Sequence, residues 1–275
     1  MKRIVTVQDI SCLGKCSLTV ALPIISAMGI ETSIIPTAVL STHTLWEHYV
    51  CDDLTDNIPL VAEHWKNEGF RFDAIYTGYL ASSKQIDVVY KLFDEFKTEN
   101  NFIFVDPAMA DNGKMYRNFD KSFADKMRVL CAKADIIVPN ITEACLLTDT
   151  EYKNDYDNKY ISDLLKKLTD LGASKAVITG AHYDGEYGIM SYDSVNDEYS
   201  FYAHQKIDHI FYGTGDVFSS ACVGALTQGY SLAEAVEIAG EFVFASISAT
   251  MKDKDARLYG VNFEQALPLL AKYNK

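Results

Sequence analysis

Short runs rich in β-branched residues alternate with helix-patterned stretches over most of the chain. This alternation narrows the possible folds more than any other feature. Strand candidates span residues 3–8, 32–39, 73–77, 102–105, 135–138 and 175–179. Strands separated by helical stretches predict an α/β fold, a mainly parallel sheet covered by helices on both faces. Between them, Ile86, Val89, Phe93 and Phe96 recur at three- and four-residue steps, as do Ile161, Leu164, Leu165, Leu168 and Leu171. Each segment therefore presents one apolar stripe to a core. After Thr179 the rhythm changes: residues 186–193 and 198–203 alternate in period two around Val195-Asn196-Asp197, which predicts an antiparallel hairpin at a sheet edge. From Gly215 onward the pattern is helical, over 217–227, 232–250 and 263–270, while the polar stretch 149–159 reads as a solvated loop. No repeat or linker divides the 275 residues, which predicts a single domain over 1–275.

Charge excludes some functions. Lys and Arg number 25 against 38 Asp and Glu, a net charge of −13, so a surface that grips a nucleic acid backbone or an anionic membrane is not expected. A small anionic ligand remains open, because backbone amides at a helix N-terminus bind phosphate without Lys or Arg. Met1-Lys2-Arg3 runs straight into a strand-like Ile4-Val5-Thr6-Val7, which is no signal peptide, and no stretch has the apolar length of a spanning helix. The expected location is cytoplasmic. The six cysteines stand in apolar neighbourhoods that suit reduced thiols, and the one close pair, Cys12 and Cys16, lacks the further soft ligands a zinc site needs.

Three loops carry residues suited to phosphate chemistry. Gly213-Thr214-Gly215-Asp216 opens a helix: the glycines let several N–H groups point at one spot, and the helix dipole makes that spot attractive to an anion. Asp216 is either a capping residue of that helix or a proton acceptor beside the anion hole. Asp106-Pro107-Ala108-Met109-Ala110-Asp111-Asn112-Gly113 follows the 102–105 strand at the carboxyl end, where α/β sheets bind ligands, although turn chemistry alone would also favour Asp, Asn and Gly. Pro139-Asn140-Ile141-Thr142-Glu143 follows the 135–138 strand with the spacing of a capping box. Together these loops offer hard oxygen ligands for magnesium around a nucleotide's phosphates. Gly14-Lys15-Cys16-Ser17 is not a phosphate loop of the GxxxxGK[ST] type, because Asp9 and Cys16 occupy the positions of its first glycine and its hydroxyl residue.

With these pieces, the chain resembles the vitamin B6 kinases of the ribokinase-like superfamily nearly end to end. The resemblance is carried by Val5-Thr6-Val7-Gln8, Ser41-Thr42-His43-Thr44, Thr77-Gly78-Tyr79-Leu80, the 106–111 and 139–143 loops, Val177-Ile178-Thr179 and Gly213-Thr214-Gly215-Asp216. It implies a three-layer α/β/α fold with a mainly parallel central sheet and an antiparallel hairpin at one edge. It implies transfer of phosphate from ATP to the 5′-hydroxymethyl group of pyridoxal, pyridoxine or pyridoxamine. Asp216 would be the base, with Gly213, Thr214 and Gly215 lining the anion hole. Asp111 and Glu143 would hold Mg2+ directly or through water, supported by Asp106 and Asn140, while Thr179 would lie near the nucleotide. His43, Thr44 and Tyr79 would contact the pyridine ring.

The family further implies a homodimer and allows a monovalent cation, K+, beside the anion hole. The chain departs from the pattern at Asp9, where many relatives have Ser, at Ser17-Leu18 for a Gly-Asn pair, at Ala110 for Gly and at Val138 for Thr. Asp9 places an acid beside the ring. Two other readings remain open: a hydroxymethylpyrimidine kinase of thiamin synthesis, whose members typically carry Cys where this chain has Asp216, and a non-catalytic nucleotide- or vitamer-binding protein.

Overall fold

The computed structural model describes residues 1–44, 46–207, 211–257 and 259–275. The parallel strands are β1 (Arg3–Ser11), β2 (Glu31–Leu40), β4 (Ala74–Thr77), β5 (Phe102–Val105), β8 (Ile136–Ile137) and β9 (Lys175–Tyr183). With β3 (Cys51–Asp53), β10 (Glu186–Asp193) and β11 (Glu198–Ala203) they form one sheet in the order β11-β10-β9-β8-β5-β4-β1-β2-β3. β10 and β11 pair antiparallel from Gly188↔Ala203 to Asp193↔Glu198, which places the expected hairpin at one edge. The opposite edge is the short antiparallel β3, which does not show as a strand in the sequence pattern. A separate two-stranded ribbon, β6 (Ala110–Asp111) with β7 (Lys114–Met115), stands in the acidic loop after β5.

Side-chain alternation along the strands builds two cores. Val5, Val7, Ile75, Ile103, Val105, Ile137 and Ile178 point to one face. There they meet α2 (Ile58–Asn67), α3 (Ser83–Phe96), α4 (Lys121–Cys131), α5 (Ile141–Leu147) and α6 (Asn158–Asp170). Ile4, Ala74, Tyr76, Phe104, Ile136 and Val177 point to the other, against α1 (Leu18–Ala27), α7 (Thr214–Thr227) and α8 (Leu232–Lys252). This is the expected three-layer α/β/α arrangement. The apolar stripes of α3 and α6 face the first core, each helix being capped at its start: the side chains of Ser82 and Asp157 accept the N–H of Gln85 and Tyr160. Such a cap stabilises a helix by about 1 kcal/mol.

Some boundaries differ from the sequence reading. α7 begins at Thr214, three residues ahead of the apolar run, because Gly213 in left-handed conformation (φ 74°) turns the chain directly into the helix. The stretch 263–270 forms two 3₁₀ segments, Phe263–Gln265 and Leu267–Tyr273, the second with Pro in its first turn. Near the site the β1–β2 register shifts between Gln8 and Ile10, where β1 faces Pro36, a residue with no N–H to give to the ladder. Asp9 lies at that irregularity.

Candidate active site

The carboxyl ends of the parallel strands deliver the acids. Asp106 leaves β5 with its backbone N–H bonded to the Thr77 carbonyl, and its side chain is 8% exposed. Its Oδ2 accepts the Ser219 hydroxyl at 2.7 Å, and its Oδ1 faces the Ala108 N–H at 3.3 Å. Burial pushes its carboxyl above the ordinary range. Asn140 leaves β8 and caps α5. Its Oδ1 accepts the Glu143 N–H at 3.0 Å, its N–H donates to Glu143 Oε2 at 2.9 Å, and its Nδ2 donates to the Ala110 carbonyl at 2.8 Å. Thr179 bridges to Asn140 on β9, so these two nucleotide-site candidates stand side by side.

Glu143 is buried and does more than close the capping box. Its Oε1 also accepts the N–H groups of Met109 at 2.8 Å and Ala110 at 3.3 Å, which ties the acidic loop to α5. Burial and the charge of Asp106 raise its pKa. Asp111, by contrast, stands exposed in the β6–β7 ribbon, and its side chain accepts from its neighbour Asn112. Among the described residues no group of three or more His, Cys, Asp and Glu is arranged to hold a metal ion. The donors here are hard carboxylate oxygens of the kind magnesium takes, and Asp111 and Glu143 would be the residues to hold it, the oxygens of Glu143 being already committed to three backbone N–H groups.

Asp216 occupies the third position of α7, not the cap. The cap is Gly213, and no side chain caps this helix, so the capping role that the sequence left open for Asp216 is not the one it plays. The carboxylate instead takes the backbone N–H of Ser17. Burial first, then the charge of Asp106, lift its pKa from 3.8 to about 7. The glycine at 213 is sterically required: a Cβ there would collide with the Lys15 carbonyl, and φ is positive. That contact gives the 14–17 loop a place that its sequence did not reveal. The loop packs against Gly213 and is held by Lys15 Nζ, bonded to Asn262 Oδ1 and Glu264 Oε2, each at 2.9 Å. Cys16, bonded to Ser11 Oγ at 3.5 Å, is pushed up to about 12 by burial and by Asp216 and Asp9, and so remains a thiol.

The ring-binding candidates divide. Asp9 is 6% exposed, its pKa raised by burial against the opposing hydroxyls of Ser17 and Ser11. Tyr79 stands near it: burial, then Asp9, Tyr49 and Cys51, push the Tyr79 phenol up to about 12. His43 lies against the 14–17 loop, its Cβ close to Gly14 and its ring 5.6 Å from that of Tyr212, with its pKa lowered by burial. Thr44 is exposed beside it. Asp9 also acts electrostatically on Asp216.

Sequence reasoning missed three residues here. Tyr116, just past the β6–β7 ribbon, has its phenol raised first by burial and then by the charges of Glu143, Asp106, Asp111 and Asp216. Ser219 and Ser17 contact Asp106 and Asp216 from segments far away in sequence. Only Ser219 and Ser220, as hydroxyls inside an apolar helix, left a trace in the pattern.

Acids on strand ends, facing a helix N-terminus whose leading glycines open its amides, define a small-molecule kinase. Comparison with known proteins agrees. Residues 22–258 match the phosphomethylpyrimidine kinase family, and the chain belongs to it. It is 27% identical over 271 residues to a pyridoxal kinase of Dictyostelium discoideum, covering 92% of this chain and 87% of that one. It is 30% identical over 225 residues to the hydroxymethylpyrimidine/phosphomethylpyrimidine kinase of Bacillus subtilis, covering 78% of each. A Bacteroides thetaiotaomicron structure assigned to the phosphomethylpyrimidine kinases and solved with pyridoxal superimposes with a TM-score of 0.92 at 37% identity, over 98% of this chain and 95% of that one. The protein is thus a vitamin kinase of the ribokinase-like fold, and no helix among the described residues is long and apolar enough to cross a membrane.

Proposed function

We propose that the protein transfers the terminal phosphate of ATP to the 5′-hydroxymethyl group of a B6 vitamer. The observation that carries this reading is Asp216: a carboxylate in the first turn of α7 with a pKa lifted to about 7 by burial and by Asp106, behind a glycine N-cap that leaves the helix amides open. A carboxylate near pH 7 is matched to taking a proton from an alcohol as the phosphoryl group arrives. The amides at Gly213, Thr214 and Gly215 would take up the migrating charge. Asp111 and Glu143 would hold magnesium as described, and the ion would supply charge neutralisation at the phosphates. Asn140 and Thr179 would border the nucleotide. Tyr79 offers an aromatic surface for a flat pyridine ring, and His43 and Thr44 offer polar groups at its rim. In support stand the pyridoxal bound to the Bacteroides relative and the Dictyostelium pyridoxal kinase.

The second reading, a hydroxymethylpyrimidine kinase, is favoured by the family description and by the Bacillus relative. An ATP-coupled assay against pyridoxal, pyridoxine, pyridoxamine, hydroxymethylpyrimidine and ribose separates the two. Turnover of the vitamers is expected. Turnover of hydroxymethylpyrimidine alone would replace the first reading by the second, and no turnover of any acceptor would leave a binding protein. The homodimer and a K+ ion beside the anion hole belong to the same proposal. Sedimentation and the dependence of rate on K+ test them.

A further inference from the structure

We propose that Ser219 is a positioning residue for phosphoryl transfer, its hydroxyl holding the Asp106 carboxylate in register with Asp216. The inference rests on the kinase reading above. Ser219 lies on α7 almost one turn past Asp216, is 1% exposed, and donates to Asp106 Oδ2 at 2.7 Å across 113 residues of sequence. Its helical neighbours Val217, Phe218, Ala221 and Cys222 are buried and apolar, so packing alone would accept an apolar residue at 219. What the hydroxyl adds is a bond to an acid on another element. The other carboxylate oxygen of Asp106 faces the Ala108 N–H in its own loop, so one oxygen is fixed to the strand-end loop and the other to the helix.

The consequence is geometric. α7 carries the anion hole and Asp216, while β5 delivers Asp106, and no peptide connection closer than 110 residues relates the two carboxylates. Ser219 fixes the plane and position of Asp106 relative to the helix that bears the base. A displacement of about 1 Å in a reacting constellation can cost on the order of 10²-fold in rate. Loss of a single positioning bond, with the loop still held by Glu143, is expected to cost less.

The test is single-turnover and steady-state phosphorylation of pyridoxal by ATP. Ser219→Ala is expected to lower kcat about tenfold with the KM for pyridoxal within about twofold of the parent, and Ser219→Thr, which keeps the donor, to restore most of the rate. In an Asp106→Ala background, which leaves no acceptor for the hydroxyl, Ser219→Ala is expected to add nothing. A parental kcat in Ser219→Ala overturns the proposal, as does an undiminished Ser219→Ala effect in that background. Should a melting curve show that Thr does not fit the buried slot, the two-residue cycle decides alone. Asp216→Asn assayed in parallel separates the two ideas: full activity there refutes the base, whereas the Ser219–Asp106 cycle reads its own coupling whether or not Asp216 is that base.

Discussion

Replacing Asp216 by Asn should make the enzyme slower and the fold more stable, and both effects have magnitudes. The carboxyl titrates at 3.8 when unperturbed and at about 7 in the folded chain, so the native state binds its proton more tightly than the unfolded state does. For such a group the unfolded chain loses its proton first as pH rises. Folding stability therefore falls between about pH 4 and pH 7 and carries the full penalty above that. Three pH units at 1.36 kcal/mol each set the penalty at about 4 kcal/mol, an upper figure because the site mouth is partly open to water. The amide keeps an oxygen for the Ser17 N–H but cannot ionise. Urea unfolding at pH 8 should thus show Asp216→Asn more stable than the parent by about 2–4 kcal/mol, and the gap should close toward pH 4. ADP formation with pyridoxal should meanwhile fall by about 10²-fold or more in kcat, the usual loss for a general base. A variant no more stable than the parent at pH 8 would refute the buried-charge argument. A kcat within about tenfold of the parent would refute the base.

The same titration should give the parent an acid limb in kcat/KM near pH 7, falling as the base is protonated. Asp106→Asn, which removes a raising charge, should move that limb to lower pH, and a pH–rate profile of both checks it. Asp111→Asn should raise the magnesium concentration for half-maximal rate about tenfold with an unchanged melting temperature. Glu143→Ala should instead lower stability by about 3 kcal/mol, because three buried N–H groups lose their acceptor, as chemical denaturation would read out. Asp9→Ser should shift the kcat/KM ratio toward pyridoxal over pyridoxamine by up to about tenfold, since a buried acid favours a cationic amine over an aldehyde; an unchanged ratio leaves Asp9 without a part in selectivity.

What the sequence made legible followed from periodicity and from glycine. The strand runs from Ile4 to Ile178 carry two apolar faces in alternation, and a strand buried on both faces can lie only in a doubly covered sheet. Gly213 was legible because nothing but glycine tolerates its φ of 74° against the Lys15 carbonyl, and Asn140 with Glu143 because a capping box has a fixed spacing. Distances between loops were not legible. Nothing local in Ser17 says that its N–H ends on Asp216, and nothing in Tyr116 says that it will face four carboxylates. Such contacts depend on crossovers that bring strand ends together from distant parts of the chain, and one sequence does not print them. β3 and the β6–β7 ribbon were missed for a related reason: two or three residues are too few to show a period.

The contacts these acids make share one direction. Ser17, Ser219 and the amides of Met109, Ala110 and Asn140 each donate to an acid that burial would otherwise neutralise. A carboxylate moved out of water without donors protonates, and a protonated acid can neither accept a proton nor attract a cation. Donors in excess have the opposite effect, fixing the acid as a weak base far below neutral pH. Asp216 receives one backbone N–H and the field of Asp106, and it settles between these limits at about 7. Glu143 receives three N–H groups and serves the loop it fastens. Burial and the charge of Asp106 raise Glu143 as well, so donor number alone does not separate the two acids; what separates them is that the oxygens of Glu143 are committed to three backbone N–H groups of the loop it fastens, whereas Asp216 meets one.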